Sequence, residues 1–438
     1  MFIRQLFVRL GQSLWFLPTV AVIGAMVLSV VLVQLDRLNP TFASSFPLIF
    51  GGGPEGARGM LEAVASTMIV SAATTFSITI VALTLTSSQF SPRVLRTFMG
   101  DRSNQVVLAT FMATFVYAIL VLRTIRTADE DGSGAFVPNV AVTGAILLAV
   151  VSLGMLIYFI HHIATRIQVS EIAAAVTTET LEAVRRTYPA ADAALDAHEV
   201  DQPADPVGAG EPGAVPARRS GYLTDFNAEA LIASAAKADA IVRLEAAPGD
   251  WVQEHVTAFS AWPAARATDS LSAELDRHLT LGDQRSMSQD VGFGIQQLVD
   301  IGTKAVSPGI NDPTTAITCL DRLGQVLVEV GRRRDRPAGR TDGDGQLRLI
   351  AVLVSWPALV DLSFDQLRHF SAGMPVVTAH LVRTLRQVGS AVPPQRHEPL
   401  LRQARLVADG LDQIALEGDR RRVERELATP WLGARRTG

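Results

Sequence analysis

The segment Ser307-Pro308-Gly309-Ile310-Asn311-Asp312-Pro313-Thr314-Thr315 is the most distinctive stretch of the polar half of the chain. Its order reads as a helix stop, a turn and a new helix start. Gly309 suits a backbone position with positive φ, Asp312 an N-cap, and Pro313 the first helical position. Open amides at such a start can hold an anion. Ser307, Gly309, Asn311, Asp312 and Thr314 are therefore candidate loop contacts, although capping alone accounts for them. A second set lies in an apolar stretch: Ser71, Thr75, Thr79 and Thr86 fall on one stripe at helical spacing, with Ala82 completing it. Ser66, Thr67, Thr74, Ser77 and Thr84 add further hydroxyls. Small hydroxylated residues let membrane helices approach closely and hydrogen-bond across the contact. The same stripe could line a water-filled path through an oligomer, but packing is the more general role. Two arginine pairs complete the inventory. Arg93 and Arg96 follow a Ser-Pro step, and Arg123 and Arg126 sit beyond a later apolar run. Each pair suits lipid headgroups, helix-end carbonyls or an anion, with interfacial anchoring the simplest of these.

Other patterns carry less. His161 and His162 are adjacent, so on a helix they point to different faces and form no metal pair by themselves. GGGPEG at 51–56 has no preceding strand, and G-F-G at 292–294 sits inside a helical pattern, so neither is a dinucleotide fingerprint. No phosphate-binding loop, nucleophile elbow, Cys/His arrangement or metal-ligand cluster is present, and we expect neither catalysis, nor a cofactor, nor a metal. Cys319 stands alone, which rules out an intrachain disulfide. A net charge of −4 gives no global reason to expect nucleic-acid binding.

What must position these residues is set by hydropathy. The 438-residue chain is 48% apolar, with a mean hydropathy of +0.25, and the excess is concentrated toward the N-terminus. Four uncharged runs stand out, predicting spans at about 14–35, 66–87, 105–122 and 140–162. Each approaches the ~20 residues that cross a bilayer core as helix, the form that satisfies every backbone group within such a segment. The first run follows Arg4 and Arg9 but is too long for a cleaved signal and ends in Gln34-Leu35-Asp36-Arg37 without a small-x-small site, so it reads as a retained helix. Arginines near the helix ends set an orientation. With the N-terminus inside, Arg4, Arg9, Arg93, Arg96, Arg102 and Arg166 are cytoplasmic, and Arg37, Arg58, Arg123 and Arg126 are outside. This bias places a multi-pass protein in the inner or plasma membrane with both termini cytoplasmic. Spans without charge also argue against a proton-coupled pump.

Residues 166–188 read as a polar helical stalk and 189–219, rich in Ala, Pro, Asp and Gly, as a flexible linker. A small mixed α/β unit is expected over 220–265, with Pro248-Gly249-Asp250 as a turn between strand-like runs. From 266 to 438 the apolar spacing of three and four predicts a mainly helical domain, interrupted by a strand-like LRLIAVLVSW and a charged surface loop at Arg332–Gln346. The expected fold class is thus mainly α: a four-helix transmembrane bundle followed by a cytoplasmic tail with a small mixed β unit and a helical domain.

Three segments, TFSITIVALTLTSSQFSPRVLRTFMGDR, FMATFVYAILVLRT and QDVGFGIQQLVDIGTKAVSPGINDPTTAITCLDRL, together resemble a bacterial family of predicted membrane proteins with a domain of unknown function, number 2254. The resemblance covers nearly the whole chain and implies four spans followed by a cytoplasmic tail; it implies no activity. Two functional expectations follow from the residues. The first is an oligomeric channel or passive conduit, with the second span lining the path and the tail regulating it. The alternative is a membrane-anchored sensor or scaffold whose helical tail binds a protein partner or a small ligand. Beyond the lipid bilayer, a second copy of the chain and a cytoplasmic protein are the expected partners, and nucleic acid is not.

Overall fold

A computed structural model describes residues 15–38, 49–89, 102–127, 136–166, 169–192, 199–200, 206, 210–335, 337–351 and 354–430; side chains at 82–83, 85–89 and 164–166 lie outside the described set. The chain divides into two compact units, residues 1–171 and 172–438.

The first unit contains α1 (Phe16–Leu38), α2 (Pro54–Gln89), α3 (Arg102–Leu122) and α4 (Asn139–Arg166). All four are long and apolar enough to cross a membrane; the 21 residues of α3 reach about 30 Å at 1.5 Å per residue. Helix α3 is central. It packs against each of the other three and buries 44% of its most apolar stretch, against 22% for each neighbour. The outward faces are apolar, with Val20, Ile23, Val27, Val30 and Val31 on α1 and Leu147, Val150, Val151 and Ile157 on α4. Helix α2 starts at Pro54 rather than near 66. Ala57, Leu61 and Ala65 continue the buried spacing of four into a region where Glu55, Arg58 and Glu62 mask it from hydropathy.

Polar groups close one end of this bundle. Asp36 at the end of α1 is buried, and its two carboxylate oxygens accept from the Val140 and Ala141 amides at 3.1 and 3.0 Å. One side chain thus caps the start of α4 and joins the first span to the last. Tyr117 donates to the Ala141 carbonyl at 2.8 Å, and Arg58 donates to the Ile125 carbonyl at 3.1 Å, just past α3. Deeper in, the Thr114 and Ser152 hydroxyls lie 3.1 Å apart across the α3–α4 contact, and Ser152 also returns its hydroxyl to the Leu148 carbonyl at 2.7 Å.

The second unit opens within α5 (Val169–Thr187), the helix expected as a polar stalk, which is packed along one face. Ala173, Val176, Ala183 and Val184 are buried in a helical core, because their spacing forms an apolar stripe that needs a covering layer. That core is completed by α8 (Val291–Ala305), α9 (Pro313–Gly331), α10 (Trp356–Phe370), α11 (Pro375–Ala391), α12 (His397–Asp409) and α13 (Glu417–Ala428). Gly294 on α8 lets α5 approach: a Cβ there would fall 2.0 Å from Thr180 Oγ1.

The rest of the unit is β-rich. The strands β1 (Glu199–Val200), β2 (Gly213–Pro216), β3 (Gly221–Phe226), β4 (Ile241–Leu244), β5 (Trp251–Val252), β6 (Thr257–Trp262), β7 (Leu279–Gly282), β8 (Gly339–Thr341) and β9 (Leu347–Ala351) form two sheets, ordered β1-β8-β9-β4-β6-β2 and β5-β3-β7. Helices α6 (Ala228–Lys237) and α7 (Asp269–Asp276) cover the strands through Leu231, Ala235, Leu271 and Leu275. The mixed unit therefore extends beyond 220–265. Strand β9 pairs parallel with β4, about 100 positions away, and β8 pairs with β9 inside the stretch expected to be a surface loop. The linker expected at 189–219 contains β1 and β2, with Val215 buried. Strands this short show no apolar period, and Pro216 fits because β2 is an edge strand with a register shift at that residue.

Two outcomes test these contacts. Asp36→Ala should lower bundle stability by about 1–2 kcal/mol, the scale of a lost N-cap, read from denaturant titration in detergent; an unchanged midpoint would refute the cap. Cys319 is fully buried on α9, and burial reinforced by Asp312 pushes its thiol up to about 12. It should resist maleimide at neutral pH in the native chain and react only on unfolding.

Candidate functional site

The residues singled out by sequence fall in separate places. On α2, Ser71, Thr75 and Thr79 lie on the inward, packed side: Thr75 is 2% exposed and Thr79 bonds back to the Thr75 carbonyl at 2.8 Å. Thr86 is in the helix, but its side chain lies outside the described residues, as do Arg93 and Arg96 entirely. Ser66, Thr67, Thr74, Ser77 and Thr84 face outward instead. Four of them return their hydroxyls to the carbonyl four residues back, at Glu62, Ala63, Val70 and Ile80. Arg123 and Arg126 are exposed just beyond α3, and the arginine that meets a carbonyl there is Arg58.

In the 307–315 loop, capping accounts for what is seen. Asp312 accepts from the Thr315 amide at 3.1 Å and from its hydroxyl at 2.6 Å, and the hydroxyl bond holds its carboxyl below the usual range. A carboxylate in that position occupies the place an anion would take. Pro313 opens α9 as expected. The positive φ falls on Asn311 (49°) rather than Gly309, which faces open space; the Asn311 amide reaches the Ser307 carbonyl at 2.9 Å, and an Asn tolerates the left-handed region. Ser307 turns its hydroxyl to the Lys304 carbonyl at 2.7 Å, and Thr314 is exposed.

A different site emerges inside the second unit, where its helical and sheet parts meet. A cleft of about 310 Å³ is lined by Arg186 and Thr187 from α5, Asp225 and Phe226 from β3, Ala228 from the start of α6, Ser288 and Gln289, Arg340 from β8, and Leu349 and Ala351 from β9. The volume is at the small end of ligand pockets. Its wall at 288–289 is held rigidly. The buried Asp290 accepts from Arg285 Nε at 2.7 Å and Nη2 at 3.0 Å and caps α8 through the Phe293 amide at 2.9 Å. The Arg285 guanidinium also lies over the Phe293 ring, 5.4 Å from its centroid. The Gly249 turn (φ +100°) presses on this pair, and a Cβ at 249 would lie 2.2 Å from Asp290 Oδ2. Burial pushes the Asp290 carboxyl up while Arg285 pulls it back. Arg186 adds a bond from α5 to the Met287 carbonyl at 3.4 Å.

The charges of the cleft are unevenly placed. Arg340 is 9% exposed, with Nη1 donating to the Gly339 carbonyl at 2.9 Å and to that of Pro337. Arg186 contributes a second guanidinium; its ion pair with Glu182 is long, 3.9 Å, and solvent-exposed, hence weak. Thr187 is 8% exposed, and its hydroxyl has no hydrogen-bond partner. Asp225 has no ion pair among the described residues, and burial raises its carboxyl above the usual carboxylate range. Such a set can bind and orient a polar solute. No group of three His, Cys, Asp or Glu side chains suited to a metal occurs among the described residues. None of Arg186, Thr187, Asp225 and Arg340 is marked by local sequence: they come from elements up to about 150 positions apart, and no spacing rule joins them.

The chain is 34% identical over 420 residues to an uncharacterized protein of Mycobacterium bovis, Mb1321c, covering 94% of this chain and 79% of the relative. The same values hold for the uncharacterized protein Rv1290c of Mycobacterium tuberculosis. No solved structure gives a significant match. A family model described as "Predicted membrane protein (DUF2254)" matches residues 11–387, spanning the bundle and most of the second unit, and the chain belongs to that family.

Proposed function

We propose that this protein is a membrane-anchored receptor, a binding protein rather than an enzyme, whose second unit takes up a small polar solute in the cleft between its helical and sheet parts. The bundle serves as anchor, with both termini in the cytoplasm by the arginine bias. The observation that carries this reading is the cleft of about 310 Å³ itself, which gathers Arg186, Thr187, Asp225 and Arg340 from α5, β3 and β8 over an apolar strip of Phe226, Leu349 and Ala351. Concave sites with a few convergent polar groups and an apolar lining are the form that small-solute pockets take.

A second reading, an oligomeric conduit, draws support from the outward hydroxyls of α2. Ser66, Thr67, Thr74, Ser77 and Thr84 give a membrane helix an exposed polar face, which suits contact with a second copy or a wetted path between copies. On this reading the path follows that face and not Ser71, Thr75 and Thr79, which are turned inward.

The two readings part in one set of measurements on the full-length chain in detergent or liposomes. The receptor reading expects some members of a panel of small polar metabolites to raise Tm by a few degrees, the scale of ligand linkage well above Kd. It also expects Ala228→Trp, which fills the cleft, to abolish those shifts. A panel of several hundred solutes with no shift sinks it. The conduit reading expects conductance in bilayers that Thr74→Leu reduces; a silent bilayer, or a chain that stays monomeric, rules it out.

A further inference from the structure

A second cavity, of about 620 Å³, lies at the end of α9 and shares no lining residue with the cleft, so its occupancy stands apart from the receptor reading. We propose that it binds a phosphate group carrying two or more negative charges, borne by a free phosphorylated solute or by a lipid headgroup.

The charge of the cavity wall sets this class. Arg332, Arg333 and Arg334 follow α9 directly and line the cavity with Asp335 and Arg396. Arg332 is exposed, and its side chain makes no ion pair or hydrogen bond among the described residues. Glu329 accepts from Arg333 Nε and Nη2 at 3.0 and 2.8 Å, and Asp335 accepts from Arg396 Nη2 at 2.8 Å. Four guanidiniums against two carboxylates leave a surplus of two positive charges. A space of this volume is on the order of 9 Å across, within a Debye length at about 0.1 M salt, so a solute inside feels every one of them. A carboxylate offsets half of that surplus, and a phosphate dianion all of it.

Arg396 is the fixed point of the wall. Its guanidinium lies over the Trp356 ring, 5.5 Å from the centroid, and the Trp356 indole donates to the Arg396 carbonyl at 2.9 Å. Nη2 also donates to the Arg333 carbonyl at 3.4 Å, which sets this group against the backbone of the arginine run. The Asp335 side chain is 64% exposed, so its pair with Arg396 is screened by water and yields to a stronger anion. A guanidinium held in place by stacking presents its fork to a phosphate without first having to be ordered. The 13-residue α12 begins beside it with no side-chain cap and adds the positive end of its dipole. The negative end of α9 is covered, because the Arg332 and Arg333 amides donate to the Val328 and Val330 carbonyls at 3.1 and 2.9 Å.

The test is isothermal titration of the full-length protein in detergent at about pH 8, above the second phosphate pKa. Acetate and dimethyl phosphate carry one charge; inorganic phosphate and pyrophosphate carry two or more. Pyrophosphate should bind at least about tenfold more tightly than dimethyl phosphate, the worth of one hydrogen bond between charged groups. Arg332→Met and Arg396→Gln should each weaken pyrophosphate about tenfold. The Arg332 side chain touches nothing that its loss would disturb, and resistance of Cys319 to maleimide certifies the fold of both variants. The source is read from the same protein in phosphatidylcholine nanodiscs with added phosphatidic acid or phosphatidylglycerol. A Tm raised by phosphatidic acid above phosphatidylglycerol, and lost in Arg332→Met, supports the proposal with a lipid headgroup as ligand. Pyrophosphate binding without that difference supports it with a free solute. Single-charge probes binding as tightly as pyrophosphate, or pyrophosphate binding that both substitutions leave unchanged, overturn the proposal. So does the absence of binding by both pyrophosphate and phosphatidic acid. None of these results bears on the solute panel with Ala228→Trp, which decides the receptor reading separately.

Discussion

Asp290 is a carboxylate shut away from water, and much of the second unit is arranged so that it can be there. Arg285 meets it with two hydrogen bonds, the first turn of α8 gives it an amide, and the Gly249 turn closes over it with no room for a side chain. The charge is tolerable only because these partners replace the lost hydration; removing one partner of such a pair costs about 3–5 kcal/mol. Since Gly249 belongs to the sheet part and α8 to the helical core, one ion pair sets how the two parts meet. The wall at Ser288 and Gln289 stands directly beside it, so the shape of the cleft depends on a group that is not in it.

The same demand, that buried polar groups find partners, shapes the first unit by other means. In lipid, a helix satisfies its own backbone except at its ends. Asp36 solves that problem for α4, Arg58 supplies a donor just past α3, and Tyr117 holds the same junction. Four of the outward hydroxyls of α2, those of Ser66, Thr67, Thr74 and Thr84, satisfy themselves by bonding to the preceding turn, which makes them compatible with lipid without requiring it. Hydroxyl content alone therefore does not separate a packing face from a wetted one; the orientation of each residue around the helix does.

Those residues show where local patterns suffice and where they fail. Asp312 and Pro313 mark a helix start because the cap is made within three residues, and the structure has that cap. Gly309 was the natural choice for a positive φ, but the turn bends one step later, at Asn311, where the amide can reach Ser307. The 189–219 segment looked like linker because a four-residue edge strand has no period to detect; its order comes from β6, some 45 positions on. Arg340 sits in a stretch whose charge suggests exposure, yet pairing between β8 and β9 buries it.

By itself the sequence determined that this is a membrane protein of mainly helical fold, because transfer of uncharged 20-residue runs into lipid depends on composition and length and not on any partner. It also determined the Asp312 cap and the helix start at Pro313, which are matters of short-range geometry. Tertiary structure alone decided which face of α2 is packed, that α5 belongs to a core, and that Arg186, Thr187, Asp225 and Arg340 share one cleft. Each of those facts rests on contacts between residues far apart in the chain, whose burial raises the strength of their charges and hydrogen bonds only once the surrounding elements have excluded water.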